Sequence, residues 1–134
     1  MKMIKCFVIN LDKRKDRLKK ISSHLNKNSL KFERFSAIDA EKESLSELNK
    51  NILQYGPMGK ISRGDLACFQ SHYKLWKHIA ENEINPILIL EDDTYISKTG
   101  FKLLKNIEWI PSDSNIIKCE KFGNSRHKVL LSPV

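Results

Sequence analysis

Four consecutive apolar residues, Ile87-Leu88-Ile89-Leu90, run directly into Glu91-Asp92-Asp93. No other segment constrains the fold as much. An apolar run without polar alternation suits a strand covered on both faces, as in a parallel sheet. Three carboxylates cannot be buried with it, so they sit where the strand emerges. Ile4–Leu11 is a second such run, rich in Ile, Val and Phe, and a basic segment follows it. Phe32–Asp39 reads as a third strand that ends at an acid. Between these runs the period changes from two to about 3.6. Leu18, Ile21 and Leu25 form one narrow helical stripe, with Asp12 as the candidate N-cap. Leu45, Leu48 and Ile52 mark a short helix over 43–53.

The best-defined helix spans 63–82. Ser62 and Asp65 have the spacing of a capping box, with Asp in place of the usual Glu or Gln. Leu66, Phe69, Tyr73, Trp76 and Ala80 follow helical periodicity, so Trp76 is expected in the core. A short helix near 100–108 and strands at 115–119 and 128–131 complete the pattern. Strands alternating with helices predict one α/β domain over 1–134, with a mostly parallel sheet flanked by helices. Ligands of such sheets bind beyond the carboxyl ends of the strands. That rule singles out Asn10–Arg17 and Glu91–Asp93.

The net charge of +8 is not spread evenly. Residues 1–34 hold eleven basic and three acidic groups, whereas the rest of the chain is balanced. The protein therefore has one basic end. No apolar run reaches the roughly 18–20 residues of a membrane helix. The first apolar stretch is too short for a signal peptide and lacks a cleavage site. Cys6, Cys68 and Cys119 are widely spaced, which argues against a disulfide framework and makes a reducing cytoplasm the default. The basic end lacks a stacking platform, because Phe7 is its only aromatic residue before Phe32. Nucleic acid is therefore not the expected partner.

Residue chemistry leaves two readings open at each site. Glu91, Asp92 and Asp93 suit a hard divalent ion such as Mg2+ or Mn2+, more so with a diphosphate supplying further oxygens. They also suit a solvated strand end. Strand alternation would point Glu91 and Asp93 to one side and Asp92 to the other. Arg14 and Arg17, three apart at a helix start, could clamp a phosphate. Lys13, Lys15, Lys19 and Lys20 suit a solvated helix face. Cys68 and His72 are four apart and could share a metal, but with no second ligand pair in the sequence, packing is the better account. Asp92-Asp93 also fits a Mg2+-dependent phosphoacceptor domain, although such domains place their acids after the first strand.

Taken in order, four stretches resemble glycosyltransferase family 25, the lipooligosaccharide galactosyltransferase group. The first is Val8-Ile9-Asn10-Leu11-Asp12-Lys13-Arg14-Lys15-Asp16-Arg17. The second is Phe35-Ser36-Ala37-Ile38-Asp39-Ala40. The third runs from Ile61 through Ser62, Asp65, Cys68, Ser71 and His72 to Trp76. The fourth is Ile87-Leu88-Ile89-Leu90-Glu91-Asp92-Asp93. Asp65, Leu66 and Ala67 depart from the family's Glu, Ile and Gly. Ala67 adds a methyl group where a close approach is expected.

The resemblance implies a GT-A-like, Rossmann-type fold and inverting transfer of a sugar, typically galactose from UDP-galactose, to a lipooligosaccharide or other surface saccharide. It implies Asn10, Arg14 and Arg17 near the nucleotide phosphates and Asp39 near the uridine or ribose. It further implies Ser62, Ser71 and His72 lining or bracing the donor site, with Glu91, Asp92 and Asp93 as the Mn2+ or Mg2+ motif. Family members are roughly twice this long, so a C-terminally truncated form is expected. Such a chain would carry the donor part and lack the catalytic base. The alternative is a non-catalytic remnant or partner subunit that self-associates through an exposed apolar face. A cytoplasmic location follows, with the surplus lysines adding contact with the anionic inner membrane at about 1 kcal/mol per nearby basic residue.

Overall fold

The computed structural model describes residues 4–53, 59–82 and 86–119. Three strands, β1 (Lys5–Asn10), β2 (Glu33–Ser36) and β3 (Ile87–Glu91), form a parallel sheet in the order β2-β1-β3. Four helices accompany them: α1 (Lys15–Lys27), α2 (Leu45–Leu48), α3 (Arg63–Asn82) and α4 (Lys98–Lys105). The expected α/β, Rossmann-like arrangement is present. β1 lies in the middle, with Phe7 opposite Glu33 on one side and Ile89 on the other.

Successive residues of a strand face opposite sides, so β1 divides its apolar run between two cores. Ile4, Cys6 and Val8 pack with Ile21 and Leu25 of α1 and with Phe101 of α4. Phe7 and Ile9 pack with Leu75 of α3 on the other side. This is why Ile4–Leu11 is continuously apolar. Leu25 and Leu75 are fully buried, and each such side chain contributes about 1.5–3 kcal/mol of transfer free energy. A third cluster joins Leu48 of α2 to Leu66 and Ala67 of α3. The Ala67 methyl group is accommodated there as packing.

Several elements differ from the sequence expectation. Asp12 does not cap α1. The N-cap is Arg14, without a side-chain cap bond. Asp12 instead accepts from Arg34 and from Ser36 Oγ at 2.7 Å, since β2 brings a cation and a hydroxyl to it. The helix expected over 43–53 is one turn, capped by Ser44 and followed by Asn51 at φ 61°. Trp76 is not core. It is 44% exposed, as Phe69 and Tyr73 also are in part. The buried face of α3 carries Leu66, Ala67, Gln70, Ser71 and Leu75. Polar Gln70 and Ser71 are tolerated inside because backbone groups satisfy them. Gln70 Nε2 donates to Leu48 O and Lys50 O, and Ser71 Oγ donates to Ala67 O while accepting from Ile38 N–H.

Residues 115–119 form no strand, and Ile116 is 80% exposed. Among the described residues no strand pairs with the segment. The strand expected at 128–131 lies outside the described residues. Among the described residues, no helix is long and apolar enough to cross a membrane.

Candidate functional site

The chain leaves β1 toward β2 in one direction, and β3 lies in the other. The carboxyl ends of β1 and β3 therefore diverge at a topological switch point, where α/β sheets hold their ligands. Asn10 ends β1 and Glu91 ends β3, with Asp92 and Asp93 in the turn that follows.

Asn10 organises this end. It is 2% exposed, yet every polar atom of its side chain is engaged. Nδ2 donates to Asp92 Oδ2 at 2.7 Å and to Arg14 O at 3.1 Å, and Oδ1 accepts from Arg34 Nε at 2.9 Å. One side chain thus ties β1 to the acidic turn, to the start of α1 and to β2.

Arg17 of α1 reaches across to the same turn. Its Nη1 lies 3.2 Å from Asp92 Oδ1 and 3.3 Å from Asp93 Oδ2. Asp92 is nearly buried and has both oxygens engaged, whereas the Asp93 side chain is 61% exposed. Glu91 turns toward α3, where Oε1 meets His72 Nε2 at 3.0 Å and Cys68 Sγ at 3.8 Å. Strict alternation had put Glu91 with Asp93. The structure instead gives Asp92 and Asp93 one shared cation, because the strand ends at Glu91 and the turn resets the side-chain directions. The bond from His72 holds the Glu91 carboxyl below its ordinary range, while burial and the Glu91 charge push the Cys68 thiol up.

The Arg14 and Arg17 guanidinium groups pair with different carboxylates. Arg14 forms a two-pronged pair with Asp16 at 2.9 and 2.8 Å, which holds the Asp16 carboxyl well below its usual range. Lys13 is a bridging residue rather than a merely solvated one. Its Nζ bonds Glu41 at 2.6 Å and Asp39 at 3.1 Å. The N–H of Glu41 and then the Lys13 ammonium keep the Asp39 carboxyl low. Beside them a shallow cavity of about 290 Å3 is lined by Asp12, Lys13, Ser36, Asp39, Lys42 and Lys74.

Ser71, through its bond to Ile38 N–H, braces the loop that leads to Asp39. Ser62 lies at the start of α3. Its Oγ accepts the N–H of Asp65 and donates to the Asp65 carboxylate at 2.6 Å. The short Asp thus meets the cap hydroxyl itself.

Sequence reasoning missed two contributors. Arg34 links Asn10 to Asp12 from β2, one position before the Phe35–Ala40 motif stretch begins. His24 Nε2 accepts the N–H of Ile96 at 3.1 Å, and its ring stacks on Tyr95, which anchors the chain just after the acidic turn. The signal available was only that His24 falls near the apolar stripe of α1.

A sequence model described as "Glycosyltransferase family 25 (LPS biosynthesis protein)" matches residues 3–132. The chain belongs to glycosyltransferase family 25. Within that family it is 34% identical over 119 residues to a Haemophilus influenzae protein with a provisional glycosyltransferase designation, covering 87% of this chain and 42% of that protein. It is 31% identical to the lipooligosaccharide biosynthesis protein lic2B of Haemophilus influenzae, over 88% of this chain and 46% of that one. Human procollagen galactosyltransferase 2 is 29% identical over 83% of this chain and 20% of its own length. This family 25 chain thus spans less than half the length of these relatives. The match takes in β1, the acidic turn after β3 and the Ser62–Trp76 stretch, so the switch-point cluster lies inside the family region.

Proposed function

We propose that this chain binds the nucleotide-sugar donor of a glycosyltransferase, with UDP-galactose as the donor and a lipooligosaccharide or other surface saccharide as the acceptor. One observation carries the reading. The acidic turn after β3 and the basic start of α1 converge at the switch point of a family 25 sheet through Asn10, Arg17 and Asp92.

The residues divide the work by exposure. Asp93 is exposed and turns one oxygen to Arg17. It fits a Mg2+ or Mn2+ ion, which takes one or two carboxylates and completes its shell with phosphate oxygens and water. Asp92 has both oxygens engaged and aligns the turn. When bound, such an ion would offset the charge of the departing diphosphate. Arg17 adds positive charge beside it. Asp39 shares a cavity with Lys13 and Lys42, which supports a reading in which it accepts from ribose hydroxyls and the lysines meet the phosphates. Ser71 and Ser62 support this wall through the Ile38 loop and the α3 cap. Inverting transfer also needs a base at the acceptor hydroxyl, and none of these residues is assigned that part. A cytoplasmic location is part of the same reading, as a nucleotide-sugar donor suggests.

Calorimetry with UDP-galactose, with and without Mn2+, tests the reading. Saturable binding that strengthens with Mn2+ is expected. No binding under either condition would overturn it.

A further inference from the structure

We infer that Cys68, His72 and Glu91 form a three-ligand site for a borderline-soft divalent cation of the Zn2+ class, separate from any hard ion that Asp93 would share with a diphosphate. Cys68 and His72 are one helical turn apart on α3 and so lie on one face of it. Glu91, at the end of β3, supplies the third donor that the helix alone lacks. The three donor atoms all lie within 4.8 Å of one another. His72 Nε2 and Glu91 Oε1 are 3.0 Å apart, and Cys68 Sγ is 3.8 Å from the same oxygen.

These spacings approach the edges of a tetrahedron around zinc. With Zn–N and Zn–O near 2.0–2.1 Å and Zn–S near 2.3 Å, donor atoms sit roughly 3.3–3.6 Å apart. Coordination would draw the set, now within 4.8 Å, to those distances. Two protons now bridge the donors, one on the His72 ring and one on the Cys68 thiol, both directed at Glu91. A cation at the centre would replace both. The thiol proton leaves to solvent, and the imidazole proton moves through solvent from Nε2 to Nδ1, which frees Nε2 as the ligand atom. The resulting set is a thiolate, a carboxylate and a neutral imidazole, which neutralises a divalent ion.

Ligand type decides which ion. Thiolate with imidazole selects zinc-like metals, whereas Mg2+ and Mn2+ prefer all-oxygen sets. Three protein ligands on a partly exposed surface leave the fourth position open, the arrangement of zinc sites that bind water or a further ligand.

Titration of the reduced, metal-free chain with Co2+ provides the test, read by its absorption spectrum. One Co2+ per chain and a thiolate-to-cobalt charge-transfer band are expected. Stoichiometric Zn2+ should displace the cobalt, and excess Mg2+ should not. Cys68→Ser should remove the band while circular dichroism stays unchanged, because Cys68 is exposed. Cys119→Ser should keep the band. Glu91→Gln and His72→Ala should each weaken Co2+ binding at least tenfold. Absence of the band in the native chain, its persistence in Cys68→Ser, or unchanged affinity in Glu91→Gln would each overturn the site. None of these readouts involves UDP, so the donor reading stands or falls separately by calorimetry.

Discussion

Asn10 Nδ2 donates to Asp92 Oδ2 at 2.7 Å across 82 positions of sequence, joining the ends of β1 and β3. The central strand therefore sets the position of the acidic turn. Parallel neighbours need a long crossover between them, so only the finished sheet brings these two residues together.

Asn10→Ala tests that dependence. It leaves a nearly buried Asp92 oxygen without its Asn10 donor and Arg34 Nε without its side-chain acceptor. Leaving such groups unsatisfied costs about 1–3 kcal/mol. Urea denaturation should show a loss in that range, with the slope unchanged.

Asp92 and Asp93 should separate cleanly on substitution. Asp93→Asn removes an exposed oxygen ligand, so Mn2+-dependent UDP binding should fall at least tenfold while stability changes by roughly 0.5 kcal/mol or less. Asp92→Asn disturbs two bonds in a nearly buried setting. It should lower the denaturation midpoint of the metal-free chain. Calorimetry and denaturation on both variants give the comparison.

Part of the acid sensitivity of the metal-free chain should trace to Glu91. Its carboxyl lies below the ordinary value of 4.5 because His72 donates to it. A lowered folded value means that the contribution is present above about pH 4.5 and is lost as pH falls through the folded value. His72→Ala should raise the Glu91 titration midpoint toward 4.5 and flatten this part of the acid limb. Carboxyl NMR titration reads the midpoint directly.

Neighbouring residues on α3 should differ sharply. Leu75 is fully buried against Phe7 and Ile9, so Leu75→Ala should cost about 2–5 kcal/mol. Trp76 is largely outside the core, and Trp76→Ala should cost about 1 kcal/mol or less, despite the larger side chain. Thermal denaturation of the pair is sufficient.

Much of the fold was legible. The runs at Ile4–Leu11 and Ile87–Leu90, and the Leu18, Ile21, Leu25 stripe, announced buried strands and an amphipathic helix, because apolar periodicity follows from which faces are covered. The face of α3 was not legible. Apolar residues lie on both flanks of that helix, and the buried one includes Gln70 and Ser71, whose cost is offset in part by backbone partners from distant segments. Asp12 looked like a cap because nothing local reveals that Arg34 and Ser36 will compete for it.

The candidate site divides along the same line. The residue order alone puts acids at the end of one strand and bases after another, and four ordered motifs marked the family. The pairings came with the folded sheet. It gave Asp92 and Asp93 to Arg17, turned Glu91 to Cys68 and His72, and bound Arg14 to Asp16. The physical reason is reach. Charge pairing and coordination act over a few ångströms, and the partners of Asp92 and Asp93 stand more than seventy positions away until the sheet closes the distance.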